Sequence, residues 1–409
     1  MTDDTFELKL EAMAHGGSAL GRHHNRTVFV PYTIPGERVL ARIRQNKGRV
    51  AFAEGIKLLE ESGDRVYPRC PHFGPGKCWR CHWQHIDYPA QLLLKQDVLA
   101  DQLARIGGFD DADVRPVIPS PAQWGYNYHM TLLPAPDGSL GFPGVDQPVY
   151  PISQCHILHP DLLALYHALD LEFDGLRSLR LQMGTDGVPM LILTMADDNP
   201  PELETGLPAS LNMLLSDNEP VNLIGDSHSR YVVSGRQFRV TAGSFFRPNV
   251  AQLSNLVTLA LDALQLNGGE SVLDLYAGVG LFTAFLAERA NLVTLVESYP
   301  PAVTDAETNL ADIDNADIIE GTVEDVLPEL DGPYHAALVD PPPDGLSMDV
   351  VDLLAESGTP RLVYVSSDPA TLARDGKRLA RQGFRLVYVQ PIDLAPQTYY
   401  IDSVALFER

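Results

Sequence analysis

The sequence contains little cysteine, four residues in 409, and has no apolar run long enough to cross a membrane. Its acidic start, residues 1–10, lacks the basic and apolar regions of a signal peptide. These absences argue against a disulfide-stabilised secreted domain and against a membrane protein, so we expect a cytoplasmic chain. We also expect a monomer. The 45% hydrophobic and 21% charged residues are typical of a globular protein with two or three domains.

Cationic residues are also scarce: 30 Lys and Arg stand against 54 Asp and Glu, a net charge of −24. Taken as a whole, this charge argues against binding to a polyanion. Its distribution is uneven, however, because residues 22–49 hold seven cations and one acid (net +6), whereas residues 250–409 hold 8 cations and 25 acids (net −17). This pattern indicates a basic module joined to an acidic one, unless surface charge simply varies along the chain.

The basic module has the pattern of a small β-barrel. Gly16–Gly17, Pro35–Gly36 and Lys47–Gly48 separate short strand-like runs at 6–10, 27–30, 38–44 and 49–53. Alternation in the third run places Arg42 and Arg44 on one strand face, where an oligonucleotide-binding barrel contacts phosphates.

The four cysteines are clustered rather than scattered. Three fall within twelve residues, and the fourth lies in the phrase 152–156; they are Cys70, Cys78, Cys81 and Cys155. Intracellular thiols rarely form disulfides, so this clustering predicts a metal or iron–sulfur site. Four thiolates suit either a structural zinc ion or a [4Fe–4S] cluster, and His82 or His85 could replace one ligand.

The segment 271–280 (SVLDLYAGVG) predicts a cofactor-binding turn. An apolar strand closed by Asp274 is followed by Gly278 and Gly280, after which helical spacing resumes. A second apolar run ends at Glu297, where a carboxylate can accept hydrogen bonds from the two hydroxyls of a ribose. Because no third glycine is present, S-adenosylmethionine fits better than a dinucleotide; the simpler alternative is a tight strand-to-helix turn.

Further strands alternate with helices through residues 244–409, which predicts a parallel α/β sheet with ligands at the carboxyl ends of its strands. Polar residues are expected at that edge: Asp274, Glu297, Asp340 and Ser367.

Two resemblances add to this interpretation. The glycine-rich opening and the phrase 28–37 (VFVPYTIPGE) resemble the TRAM domain of RNA-modifying enzymes. The phrase 78–85 (CWRCHWQH) and the segment from 245 to the last residue resemble bacterial uracil-C5 RNA methyltransferases of rRNA and tRNA. The resemblance implies three domains: a TRAM RNA-binding barrel (1–60), a central α+β domain with a four-cysteine [4Fe–4S] site (61–243), and a Rossmann-like class I methyltransferase domain (244–409) that uses S-adenosylmethionine.

The same resemblance implies roles for single residues. In this family a cysteine thiolate adds to uracil C6, C5 then attacks the methyl group, and a carboxylate removes the C5 proton as the sulfur leaves. Ser367 occupies the position of the cysteine, and Asp402 the position of the base, which is a glutamate in the family. Cofactor contacts are implied for Tyr276, Gly278, Gly280, Glu297 and Asp340, and for Arg247, which replaces a glutamine.

Other departures surround the same site. Trp79 and Arg80 replace two glycines between the close cysteines, and Pro343–Asp344 replaces an Arg-Lys pair. A serine hydroxyl without an adjacent base is a weak nucleophile. We therefore expect a class I RNA methyltransferase of this family and keep two alternatives open: a methyltransferase acting on an RNA atom that needs no cysteine, and a catalytically degenerate relative that binds RNA.

Overall fold

The computed structural model describes residues 5–144, 148–169, 175–201, 206 and 208–409. Its first unit is a six-stranded sheet with the spatial order β1-β5-β6-β4-β3-β2. The strands are β1 (Thr5–Lys9), β2 (Ala12–Met13), β3 (Ala19–His23), β4 (Arg26–Val30), β5 (Arg38–Lys47) and β6 (Val50–Glu60). No helix in the described ranges is long and apolar enough to cross a membrane.

The predicted arginine pair of this sheet is engaged within the sheet itself. Arg42 and Arg44 both bind the carboxylate of Glu54 on the neighbouring strand, with an Arg42 Nε–Oε1 distance of 2.8 Å and an Arg44 Nη2–Oε2 distance of 2.5 Å. Arg38 likewise contacts Glu60 and Glu7. Acids on the strands beside β5 therefore pair with three of the seven cations counted in residues 22–49.

A long helix joins the first sheet to the last one. Helix α1 (Tyr88–Gln102) begins at a proline in its first turn, continues through a π-helical turn (Leu103–Gly107), and ends where Gly108 adopts a positive φ of 76°. Its buried Lys95 donates to the buried Asp393 carboxylate at 2.7 Å. Breaking such a pair would leave an uncompensated buried charge, so α1 is fixed to the segment that precedes the last strand.

The middle of the chain forms a seven-stranded sheet, a helix and a separate hairpin. In space the sheet runs β13-β12-β11-β10-β7-β8-β9. The elements are β7 (His129–Pro134), β8 (Leu140–Phe142), β9 (Tyr150–Pro151), α2 (Pro160–Ala168), β10 (Leu176–Met183), β11 (Pro189–Met195), β12 (Ser210–Leu214), β13 (Pro220–Ile224), and the hairpin β14 (His228–Val233) and β15 (Arg236–Thr241).

The C-terminal part is the predicted α/β sheet. Its elements are α3 (Leu253–Leu264), β16 (Ser271–Leu275), α4 (Leu281–Leu286), β17 (Leu292–Glu297), α5 (Pro300–Asn309), β18 (Ala316–Glu320), α6 (Val323–Val326), β19 (Ala336–Val339), α7 (Met348–Glu356), β20 (Arg361–Ser366), α8 (Pro369–Arg381), β21 (Arg385–Ile392) and β22 (Asp402–Glu408). The order is β18-β17-β16-β19-β20-β22-β21. The first five strands pair in parallel, and β22 runs antiparallel to both of its neighbours.

The hydrophobic cores do not follow the predicted boundaries closely. Trp83, Ile86 and Leu99 share one core with residues of the first sheet and of β19, β20 and α8. The hairpin of β14 and β15 packs in a second core together with α3 and β16. Parts of the range 61–243 therefore pack against the C-terminal sheet, and the division at residues 60 and 243 stays a prediction.

Candidate active site

The glycine turn follows β16 as predicted, and it is strongly left-handed. The φ angles are 62° at Tyr276, 57° at Gly278 and 82° at Gly280. A Cβ atom on Gly280 would lie 3.1 Å from Leu310, whereas the position of a Cβ atom on Gly278 has no heavy atom within 4 Å. The backbone at Gly278 therefore borders open space, where a ligand can approach closely.

Glu297 ends β17 with a fixed carboxylate. Its Oε2 atom accepts the Gly278 N–H at 2.8 Å, and Oε1 accepts the N–H groups of Ser298 and Tyr299 at 2.7 Å each. An ionised carboxylate offers about four acceptor positions, so these three bonds leave one for a ligand hydroxyl. The predicted ribose-binding carboxylate is thus held beside the glycine turn.

Asp274 differs from the sequence expectation because it lies within the strand, and Leu275 is the last strand residue. Its side chain is fully buried and accepts a 2.6 Å hydrogen bond from the Thr283 hydroxyl, while its Oδ1 has no partner in the described chain. The pKa of Asp274 is raised to about 7, mainly by burial and also by the charges of Asp340 and Glu297. Asp274 therefore lies beneath the edge of the sheet and does not point out of it.

Two predicted cofactor residues bind each other. Arg247, in the segment before α3, forms a two-pronged ion pair with Asp340, which follows β19; the Nη1–Oδ2 and Nη2–Oδ1 distances are 2.7 and 2.6 Å. Their side chains are only 10% and 14% exposed. Burial lowers the pKa of Arg247, but Asp340 outweighs that effect and holds it above its ordinary value. The guanidinium is therefore permanently charged and directed at the sheet edge.

Ser367 and Asp402, the two predicted catalytic residues, are brought together by strand register. The last paired residues of β20 and β22 are Ser366 and Ser403, so Ser367 and Asp402 are opposite neighbours one step beyond. Ser367 is half-buried and follows the strand directly. Residues far apart in the chain thus meet at one end of the sheet, beside Asp340.

Asp402 has a perturbed acidity. Burial raises its pKa to about 6; the charges of Arg247 and Lys95 act in the opposite direction, and those of Asp393 and Asp340 add to the increase. The carboxylate is therefore mostly ionised near neutral pH and can accept a proton there, which suits a general base.

A histidine that sequence reasoning missed also reaches this edge. His15, in a turn of the N-terminal sheet, places its Nε2 atom 3.1 Å from the Asp368 carboxylate, next to Ser367. Asp368 caps α8 by accepting the N–H groups of Ala370 and Thr371, both at 2.9 Å. Nothing in the local sequence around His15 signals this contact, because the packing of two distant sheets creates it.

The four cysteines line one cavity. Also lining it are His72 and His156, whereas the predicted alternative ligands His82 and His85 do not. Burial raises the pKa values of Cys78 and Cys155 to about 11, and the other thiols contribute to the increase in each case. Within the described ranges, no three His, Cys, Asp or Glu residues are arranged to hold a metal ion.

The raised pKa of Asp402 predicts a pH-dependent effect of removing its charge. Since the folded pKa of about 6 exceeds the ordinary 3.8, the contribution to stability is present below about pH 4 and is lost as pH rises through 6. Asp402→Asn should therefore stabilise the fold relative to wild type by about 1–3 kcal/mol more at about pH 8 than at about pH 4. Urea unfolding at both pH values measures the difference, with exposed Asp317→Asn as the control. An equal effect at both pH values would contradict the assignment.

Comparisons with known proteins agree with this arrangement. The model of the tRNA (uracil-5-)-methyltransferase family matches residues 227–409. An uncharacterized RNA methyltransferase of Thermosynechococcus vestitus is 30% identical, covering 98% of this chain and 97% of the relative. Another from Synechocystis is 32% identical, with 98% and 95% covered. The fold matches the Pyrococcus abyssi tRNA (uracil-54, C5)-methyltransferase bound to S-adenosyl-L-homocysteine, with a TM-score of 0.74, 23% identity, and 98% and 100% coverage. The expected family is thereby confirmed: the chain belongs to the RNA methyltransferases of the tRNA (uracil-5-)-methyltransferase family.

Proposed function

We propose that this chain is an S-adenosylmethionine-dependent RNA methyltransferase whose cofactor binds at the glycine turn. The observation that carries the proposal is the Glu297 carboxylate, which the Gly278 N–H fixes at the strand end with one acceptor position left for a ribose hydroxyl. The open space above Gly278 accommodates a close ligand, so the residues present fit an adenosyl group. When bound, this cofactor supplies an electrophilic methyl group.

The acceptor pocket is proposed to lie between Ser367, Asp402 and the Arg247–Asp340 pair. Asp402, with a pKa near 6, would accept the proton that the methylated atom releases. Arg247 would orient the Asp340 carboxylate at the sheet edge through two short hydrogen bonds. Asp402 and Arg247 differ from the family pattern implied by the resemblance. Asp402 retains a carboxylate, and Arg247 retains a side chain that donates hydrogen bonds.

Ser367 determines which acceptor chemistry is open to the chain. It stands where the resemblance places the attacking cysteine, and the four thiols of the chain line a different cavity. A hydroxyl is a far weaker nucleophile than a thiolate, so we propose that covalent addition to uracil C6 is impaired in the natural protein. This substitution is the observation that favours the second candidate function, an RNA-binding relative that no longer transfers methyl groups.

Four cysteines around one cavity also suit the [4Fe–4S] cluster implied by the family resemblance. A single zinc ion needs ligand atoms that converge at about 2.3 Å from one point. A cluster likewise needs converging thiolates; here the four thiols line one cavity, and no described group of three His, Cys, Asp or Glu residues is arranged to hold a metal ion. The support for the cluster is the family resemblance and the shared cavity: Cys70, Cys78, Cys81 and Cys155 would hold it, which would fix the segment 70–81 against the central sheet. The RNA is proposed to be rRNA or tRNA, with the N-terminal sheet acting as a TRAM-type RNA-binding module.

The methyl-transfer proposal predicts that labelled S-adenosylmethionine will transfer its label to bulk tRNA or rRNA. Digestion of the product to nucleosides then identifies the acceptor. Label in 5-methyluridine would contradict the impaired role of Ser367, and label in another nucleoside would indicate a different acceptor atom. Absence of label, with RNA binding retained, would refute the enzyme and support the RNA-binding relative.

A companion variant tests the nucleophile position directly. We expect Ser367→Cys to form a covalent adduct with RNA that contains 5-fluorouridine, because a thiolate there would add to C6 and the fluorine could not leave as a proton does. Ser366→Cys, one residue earlier on β20, is the matched control and should form none. Adduct formation by the wild type but not by the variant would show that the position has been misassigned.

The iron–sulfur proposal predicts about four iron atoms per chain after anaerobic purification, together with a visible absorption band. Cys81→Ser should lower the iron content severely, and so should Cys155→Ser, because the two residues approach the cavity from different parts of the chain. Stoichiometric zinc without iron in the wild type would contradict the proposal. Mutation of His82 serves as a control, since this histidine does not line the cavity.

A further inference from the structure

Aromatic rings form a continuous strip between the candidate active site and the N-terminal sheet. Successive ring centroids are 6.0 Å apart for Tyr400 and His82, 5.0 Å for His82 and Trp79, 6.1 Å for Trp79 and Tyr32, and 5.3 Å for Tyr32 and Phe73. These five residues are called the aromatic strip below. The strip joins three parts of the chain that are distant in sequence, so it is a product of the tertiary fold.

Both large rings at the active-site end of the strip are accessible. Trp79 is 37% exposed and Tyr400 is 45% exposed, and Tyr400 precedes Asp402 by two residues. By contrast, Trp83 is fully buried. Exposed aromatic rings beside a pocket are unusual on a soluble protein surface and are typical of a surface that binds a partner.

His82 provides an independent indication of a ligand. Its side chain is only 4% exposed and packs between Trp79 and Tyr400; neither ring nitrogen makes a hydrogen bond of ordinary geometry within the described chain, and the Trp79 backbone is the polar group that interacts with it. Buried polar atoms in folded proteins are usually paired. An imidazole without an ordinary hydrogen bond, directly beneath two exposed rings, is therefore consistent with a surface that is complete only when a polar ligand covers it.

An open groove begins at the other end of the strip, where Tyr32 and Phe73 form part of its wall. Its lining includes Arg65, Arg69 and Lys77, and none of the described residues that line it is acidic, although the chain as a whole carries a charge of −24. Glu37 neutralises Arg65.

The charges of Arg69 and Lys77 are not offset by any ion pair with a described carboxylate. At this groove the ring of Tyr67 is 98% exposed. A surface that binds single-stranded nucleic acid combines cationic side chains along the phosphate backbone with accessible aromatic rings on which bases stack.

We propose that the strip and the groove bind the single-stranded RNA that flanks the target nucleotide. Trp79 and Tyr400 would stack on bases next to the pocket, Tyr67 would stack on a base in the groove, and Arg69 and Lys77 would contact phosphates. This inference rests on the proposed function, because it assumes an RNA substrate.

Single-stranded RNA fits this surface better than a duplex does. Stacking on a side chain needs an unstacked base, and an enzyme that modifies a base must also remove it from its stack. Because every base has a flat face, such a surface tolerates many sequences, and the phosphate contacts make its affinity depend on salt. The strip therefore determines the strand conformation at the pocket and leaves the choice of the nucleotide to the pocket itself.

Equilibrium binding of a fluorescent oligouridine of about eight nucleotides tests the proposal without any need for catalysis. Trp79→Ala, Tyr400→Ala and Tyr67→Ala should each weaken binding roughly 5- to 100-fold. Trp79→Phe, which keeps a ring, should bind within about threefold of wild type. The exposed but distant Val232→Ala is the matched control and should bind like wild type.

Two further readouts separate stacking from a structural role. RNA should quench the tryptophan fluorescence of the wild type more than that of Trp79→Phe, which retains the buried Trp83 and the half-buried Trp124. Arg69→Gln and Lys77→Gln should each lower the slope of log affinity against log salt by about 0.7. Thermal unfolding confirms that each variant is folded.

The failures of the two proposals can be distinguished. If the wild type binds RNA and the three alanine variants bind equally well, the strip is not the binding surface, and the methyltransferase proposal stands. If the wild type binds no RNA in any form and transfers no methyl group to it, both proposals are overturned.

Discussion

The hydrogen bond from the Gly278 N–H to the Glu297 carboxylate is the contact on which the candidate site depends. It fixes the left-handed turn after β16 to the end of β17. The open face of the turn therefore lies beside the remaining acceptor position of the Glu297 carboxylate. The parallel sheet supplies the constraint behind it, because adjacent strands end at the same edge. The turn and the carboxylate come from separate strands and are useful for binding only together.

Several acidic side chains lie close together at the same edge, and the positive charge of Arg247 offsets part of their negative charge. The charge of Asp340 raises the pKa values of both Asp274 and Asp402, which are buried and have pKa values near 7 and 6. Arg247 makes a two-pronged contact with Asp340, and the positive charge of Arg247 limits the increase in the pKa of Asp402. By the resemblance, a neutral glutamine is expected at position 247, so Arg247 adds a positive charge to this site.

Local pattern was sufficient for some of this architecture and insufficient for the rest. Apolar runs and glycines predicted the parallel sheet, the turn at Gly278 and the carboxylate of Glu297, because each depends on neighbours in sequence. The ion pairs of Arg42 and Arg44 with Glu54 could not be predicted, because Glu54 lies across a strand pairing that composition does not reveal. The contact of His15 with Asp368 was missed for the same reason. Resemblance supplied the roles of Ser367 and Asp402, and strand register explains why they are neighbours.

Titration calorimetry with S-adenosyl-L-homocysteine tests the central claim, a cofactor site organised by the carboxylate at the end of β17, most directly. Wild type should bind, and Glu297→Gln should weaken binding roughly tenfold or more, because one charged acceptor for the ribose is lost. Glu307→Gln, an exposed change on α5, should leave the affinity unchanged. Equal affinity of wild type and Glu297→Gln, or no binding by wild type, would contradict the account.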